Sequence, residues 1–199
     1  MANFNYTANV KCVNGTNTWL ELLFLNYPGT LSSDITAFSI TGPSGLITND
    51  LSECYVYENN HHILYEVVDT VPELGTYNFS VTIGGETVNQ SDVQTVNRTL
   101  PVVDMTVTTP APGASIETDT TFSWSAVPDP GFPVYYGIQI KTQAETDDFA
   151  ISERYIGDFQ YAVNLSPGDY KWQVIVMDGI DWSNTNNRTH NHWENFTIV

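Results

Sequence analysis

The sequence predicts an all-β chain folded as two tandem antiparallel β-sandwiches. Three observations carry this. Helical periodicity is nearly absent over the 199 residues, and apolar and polar residues alternate over short runs instead, as half-buried strands require. Clusters of Gly, Pro, Asn and Asp bound those runs, and these are the residues that turns select. A segment also recurs. Leu74-Gly75-Thr76-Tyr77-Asn78-Phe79-Ser80-Val81 aligns with Pro167-Gly168-Asp169-Tyr170-Lys171-Trp172-Gln173-Val174, with Gly168 standing 93 residues after Gly75. A period of that length is one small sandwich and too long for a solenoid unit.

In chain order, the first half offers strands over residues 18–25, 35–41, 63–68 and 77–83. Gly84-Gly85 reads as a hairpin turn into a further strand starting near Glu86. The second half offers 103–108, 121–127, 134–142, 159–165, 170–177 and 193–199. The run at 170–177 is the clearest: Tyr170, Trp172, Val174 and Val176 fall on one face, with Lys171, Gln173 and Ile175 on the other. The division falls near Arg98-Thr99-Leu100-Pro101, giving units 1–100 and 101–199. No Gly/Ser-rich or Pro-rich stretch separates them, so the joint reads as short and stiff.

Cys12 and Cys54 both lie in the first half. Neither belongs to a Cys-x-x-Cys pair, which argues against a metal site. Two readings remain open. A disulfide would close a loop of about forty residues and contribute about 3 to 4 kcal/mol, or the two are separate buried thiols acting as small hydrophobes.

The second unit resembles a fibronectin type III or closely related immunoglobulin-like domain. Phe122-Ser123-Trp124-Ser125-Ala126-Val127-Pro128 is similar to the second strand of that family with its core tryptophan. Leu165-Ser166-Pro167-Gly168-Asp169-Tyr170 resembles the turn and tyrosine corner that lead into the sixth strand, and Thr109-Pro110-Ala111-Pro112-Gly113-Ala114 resembles the proline-rich start of such modules. The resemblance implies that the Tyr170 hydroxyl folds back onto backbone near Leu165, while its ring and Trp124 fill the space between sheets. The first unit matches through Leu74-Gly75-Thr76-Tyr77, with Trp19 its candidate core tryptophan. Members of this family act as spacers, adhesive surfaces or accessory parts of larger enzymes, so the fold does not yield the function.

Composition excludes several classes. There are 6 basic and 23 acidic residues, a net charge of −17, yet charged residues are only 15% of the chain. Soluble domains average about 25%, so the imbalance comes from missing lysine and arginine. No basic footprint for nucleic acid or for an anionic membrane surface can be assembled. With 41% hydrophobic and 13% aromatic residues the chain can build a core. The best apolar run, 20–25, is short and contains Glu21, which argues against direct membrane insertion. The acids divide as 10 before residue 101 and 13 after it, spread over turns. No signal region opens the chain, which as it stands would remain where it is made, unless Met1 replaces a removed signal. Abundant Thr and Asn, scarce Lys and triplets such as Asn5-Tyr6-Thr7, Asn14-Gly15-Thr16, Asn78-Phe79-Ser80 and Asn195-Phe196-Thr197 favour a secreted or cell-surface protein. Those triplets are glycan acceptors in a eukaryotic secretory pathway, or chance products of the composition.

Candidate site residues are few. No nucleophile elbow, P-loop or His-Glu-x-x-His motif occurs. Asp147-Asp148 reads as a solvated loop, not a glycosidase pair. His61-His62 form one histidine cluster, and His190 and His192 a second. Alternate positions on a strand would place the second pair on one face as zinc ligands with Asp178 or Asp181, against the alternative of a polar loop around Asn187, Thr189 and Asn191. Asp178-Gly179-Ile180-Asp181-Trp182-Ser183-Asn184 gathers oxygen ligands suited to calcium, with Asp178 and Asp181 the metal candidates and plain loop formation the alternative. Trp182 and Trp193 bracket a stretch rich in amides; with Asn184, His190 and His192 they make a candidate contact surface for a protein or glycan ligand. The alternative buries Trp193 on the last strand and lays Trp182 over the core. The expected function is a non-catalytic structural or adhesive module of a larger exported protein, with a carbohydrate-binding or accessory module of a polysaccharide-acting system as the second reading. No cofactor other than calcium is called for, and the oligomeric state is left open.

Overall fold

The computed structural model describes residues 5–58, 61–144, 149–156, 159–180 and 184–199. Two compact units form, residues 1–98 with 182–187 and residues 99–181 with 188–199.

In the first unit, alternation becomes two facing sheets. One takes β1 (Asn5–Val13), β2 (Asn17–Leu25), β5 (Tyr55–Tyr57) and β6 (His62–Val67) in the order β1-β2-β6-β5. The other takes β3 (Ile35–Gly42), β4 (Gly45–Thr48), β7 (Gly75–Ile83) and β8 (Glu86–Gln94) in the order β4-β3-β7-β8. Val10, Leu20 and Phe24 from the first meet Phe38, Phe79 and Val81 from the second in one buried core. The Gly84-Gly85 hairpin forms as expected, with φ of 59° and 83° and Ile83 paired to Glu86. Both values need glycine-like freedom.

The second unit repeats the plan. β10 (Asp119–Ser123) pairs with β13 (Gln160–Asn164). Opposite them, β12 (Phe149–Ile156), β11 (Tyr135–Thr142) and β14 (Gly168–Met177) lie side by side. The last strand is broken: β15 (Asn187–His190) pairs with the end of β14 and β16 (Glu194–Ile198) with its start. β9 (Ser115–Ile116) runs parallel to β16. Phe122, Trp124 and Trp172 fill the core, the Phe122 and Trp172 ring centroids 4.8 Å apart and edge-on.

Both units close a tyrosine corner. The Tyr77 hydroxyl donates to the Glu73 carbonyl at 3.1 Å, and the Tyr170 hydroxyl to the Ser166 carbonyl at 2.9 Å. Gly75 and Gly168 open the two strands concerned, at φ of 137° and 158°. Two facing sheets per unit, antiparallel but for the β9–β16 pair, with a tyrosine corner at the start of β7 and of β14, are the immunoglobulin-like sandwich.

Several expectations are corrected. Residues 103–108 are not a strand but carry a 3-10 turn, Met105–Val107, because the Asp104 carboxylate accepts from the Thr106 amide at 3.0 Å and its hydroxyl at 2.6 Å. That local capping outcompetes pairing. Trp19 is half-buried outside the core, its indole N–H donating to Glu66 at 2.8 Å, and Phe79 fills the place that Trp172 takes in the second unit. No disulfide joins Cys12 and Cys54; burial pushes the Cys54 thiol up to about 12, which leaves it unreactive at neutral pH. On the second face of β14, Gln173 and Ile175 are buried as well.

Candidate functional site

The last strand breaks at Asn191. Its backbone N–H reaches the Val174 carbonyl at 3.1 Å and its side-chain amide donates to the same oxygen at 2.7 Å. One acceptor thus holds two donors, and the next two residues bulge out of the sheet. Bulges re-aim side chains. Here they present His192 and Trp193. The His192 side chain is 69% exposed, its Nε2 2.5 Å from a Glu194 carboxylate oxygen. Trp193 is half-buried, with the Lys141 ammonium 4.8 Å from its ring centroid and that of Lys171 at 6.0 Å. Two of the chain's 6 basic residues therefore converge on one indole. Such cation–π contacts are worth about 0.5–1 kcal/mol at exposed positions.

His190 and His192 have different neighbours. His190 ends β15, with Nδ1 3.3 Å from the Gln173 amide nitrogen, whereas His192 lies in the bulge beside Glu194. The polar stretch beginning at Asn187 is a strand, not a loop: Asn187, Arg188 and Thr189 are buried, and the Thr189 hydroxyl donates to the Leu100 carbonyl at 3.2 Å. His61 lies 3.3 Å from the Gly29 carbonyl and His62 3.7 Å from Glu21, so their neighbours differ too. Among the described residues no three His, Cys, Asp or Glu side chains gather as a metal set. Asp178 is half-buried after β14, and Asn184 is exposed within the first unit's segment 182–187. Asp181 and Trp182, and the Asp147-Asp148 pair, lie outside the described residues.

Sequence reading missed a cleft in the first unit. It measures about 240 Å3 and lies between the β3–β4 turn, Pro43-Ser44-Gly45, and the β6–β7 connection, Thr70-Val71-Pro72-Glu73. The signal was present: two Pro-containing connections, one followed by exposed Leu46 in β4 and the other carrying exposed Val71.

No protein-family model matches the chain, and no curated protein matches it. Among solved structures, the chain is similar to the tandem Ig repeats of Dlar at 13% identity, over 98% of this chain and 99% of that one, with a TM-score of 0.43. It is similar to the titin domains z1z2, solved in complex with telethonin, at 13% identity over 98% and 95% of the two chains, with a TM-score of 0.32. The FN1–FN3 domains of chicken CNTN1 align at 11% identity over 97% of this chain and 64% of that one, with a TM-score of 0.33.

Proposed function

We propose that the chain is a non-catalytic structural or adhesive module of a secreted or cell-surface protein, making its contact through the Asn191–Trp193 bulge of the second unit. The observation that supports this is Trp193 with its two lysines. A half-buried indole held in a bulge between two strands is the kind of anchor that dominates protein interfaces, and the adjoining His192 adds an exposed polar partner. A pyranose would need the open face of the ring, but Lys141 already stands 4.8 Å from its centroid. A protein ligand bearing carboxylates near an aliphatic or aromatic group suits the arrangement better than a neutral glycan. The experiment is a binding screen of the purified chain against a glycan array and a panel of extracellular-matrix proteins, repeated with Trp193→Ala. Binding to a protein that weakens about thirtyfold or more in the variant, the size of a hot-spot loss, supports the reading. Glycan binding that depends on Trp193 replaces it with the carbohydrate reading, and protein binding indifferent to Trp193→Ala overturns the site.

A further inference from the structure

We propose that the cleft in the first unit is a docking site for a basic segment of a partner protein, taking one aliphatic side chain inside and a flanking lysine or arginine at its acidic rim. The cleft is preformed. A Cβ on Gly75 would stand 2.8 Å from the Pro43 ring, and one on Gly42 would stand 2.9 Å from Ile47 and 3.1 Å from the Tyr77 ring. The two turns are therefore packed as closely as the backbone allows.

Its polar groups are already committed. The Thr18 hydroxyl donates to the Thr70 carbonyl at 2.7 Å, the Tyr77 hydroxyl to the Glu73 carbonyl at 3.1 Å, and the Ser44 hydroxyl to the Glu73 carboxylate at 2.7 Å. What remains for a ligand is apolar: Leu20, Ile47, Val67 and Val71 line the space. At the mouth the apolar surface continues into water. Leu46 is 62% exposed, Val71 44% and the adjoining Leu74 58%. A space of about 240 Å3 falls below the roughly 300–1,000 Å3 of small-molecule sites and fits a single aliphatic side chain.

Charge selects the partner. Residues 1–98 hold ten carboxylates against Lys11 and Arg98. Lys11 is fully buried on Glu21, with its ammonium 3.1 Å from the carboxylate, so it does not offset the surface charge. Exposed Asp69 and Glu73 flank the cleft on the β6–β7 connection. An acidic partner would be repelled, and a cationic one is steered in.

The test uses the full chain, isotope-labelled for NMR, and a peptide with a central leucine flanked by lysines. Saturable shifts confined to residues 42–47 and 67–77 are expected. Affinity should fall roughly two- to fivefold in Glu73→Lys, the worth of one exposed ion pair, and on moving from low to physiological salt. Val71→Gln should abolish the shifts, and Trp193→Ala, in the other unit, should leave them unchanged. Thermal melts of each variant check that it folds, and the salt dependence of the wild-type chain reads the charge contribution without any substitution. The proposal is overturned if no saturable shift appears, if a glutamate-flanked peptide binds equally, or if a neutral disaccharide produces the same shifts. It is also overturned if those resonances broaden with protein concentration alone, which would make a second copy the occupant.

Discussion

Tyr77 and Tyr170 each send a hydroxyl back four residues to a carbonyl, at 3.1 and 2.9 Å. Both rings are buried in their cores, so Tyr→Phe leaves packing intact and orphans one carbonyl. Each substitution should lower stability by about 1 kcal/mol, read by urea unfolding; equal midpoints for variant and parent would mean that the corner contributes nothing. Asp34 shows a second residue-level effect. Its carboxylate accepts from the Tyr27 hydroxyl at 2.7 Å, from the Ser33 hydroxyl at 3.1 Å and from the Thr30 amide at 3.0 Å. The Tyr27 bond, the largest cause, with those of Ser33 and Thr30 holds this carboxyl below its usual value, while burial and the same carboxylate push Tyr27 up to about 12. A depressed carboxyl stabilises the fold above the ordinary carboxylate range, and that contribution is lost as pH falls through its native value. An NMR titration should place the Asp34 inflection below that of an unstructured peptide. Tyr27→Phe should move it back upward.

The elements legible in the sequence were those whose two faces differ. β2, β3, β6, β7, β11, β13, β14 and β16 follow alternating runs to within one or two residues at most ends. β1 carried the same signal in Tyr6, Ala8, Val10 and Cys12, with Asn9 and Lys11 buried between them, but it was not among the expected strands. β15 had no apolar face to detect. Asn187, Arg188 and Thr189 are buried as polar residues, Asn187 donating to the Val96 carbonyl and Thr189 to that of Leu100, a solution that hydrophobic periodicity cannot show. The site was legible only in part for the same reason. His192 and Trp193 were singled out by residue type alone, and the bulge that carries them depends on one carbonyl, that of Val174, taking both Asn191 donors. Turn chemistry was the most readable feature, and it sets the element-scale prediction. A Cβ at Gly84 or Gly85 meets nothing within 4 Å, so only backbone conformation resists substitution. Gly84→Asn should therefore be nearly neutral and Gly84→Val should cost about 1–2 kcal/mol, compared by denaturant midpoint. Equal losses for both would place the constraint in the side chain instead.

The net charge of −17 acts on the whole molecule, because among the described residues no three acidic or histidine side chains gather where a single counter-ion could neutralise them. Among the described residues the carboxylates are spread over strands and turns of both units, and several are spent on local structure: Asp50 and Asp104 cap 3-10 turns, and Glu58 receives the amides of Leu31 and Ser32 at 2.8 Å. The remainder repel one another over distances comparable to the screening length, which shrinks from roughly 20 Å at 20 mM salt to about 6 Å at 300 mM. Folding brings these charges closer together, so screening should favour the folded chain. Raising sodium chloride across that range should lift the melting temperature by roughly 2–6 °C, the effect of one to two kcal/mol in a chain of this size. Because the mechanism is diffuse, calcium and magnesium chloride at equal ionic strength should give superimposable melts. A rise peculiar to calcium would instead show a bound ion, with Asp178 the first residue to substitute. A melting temperature that is flat or falls with salt would mean that the acidic surface is already neutralised within the fold, and that its role is confined to selecting partners of opposite charge.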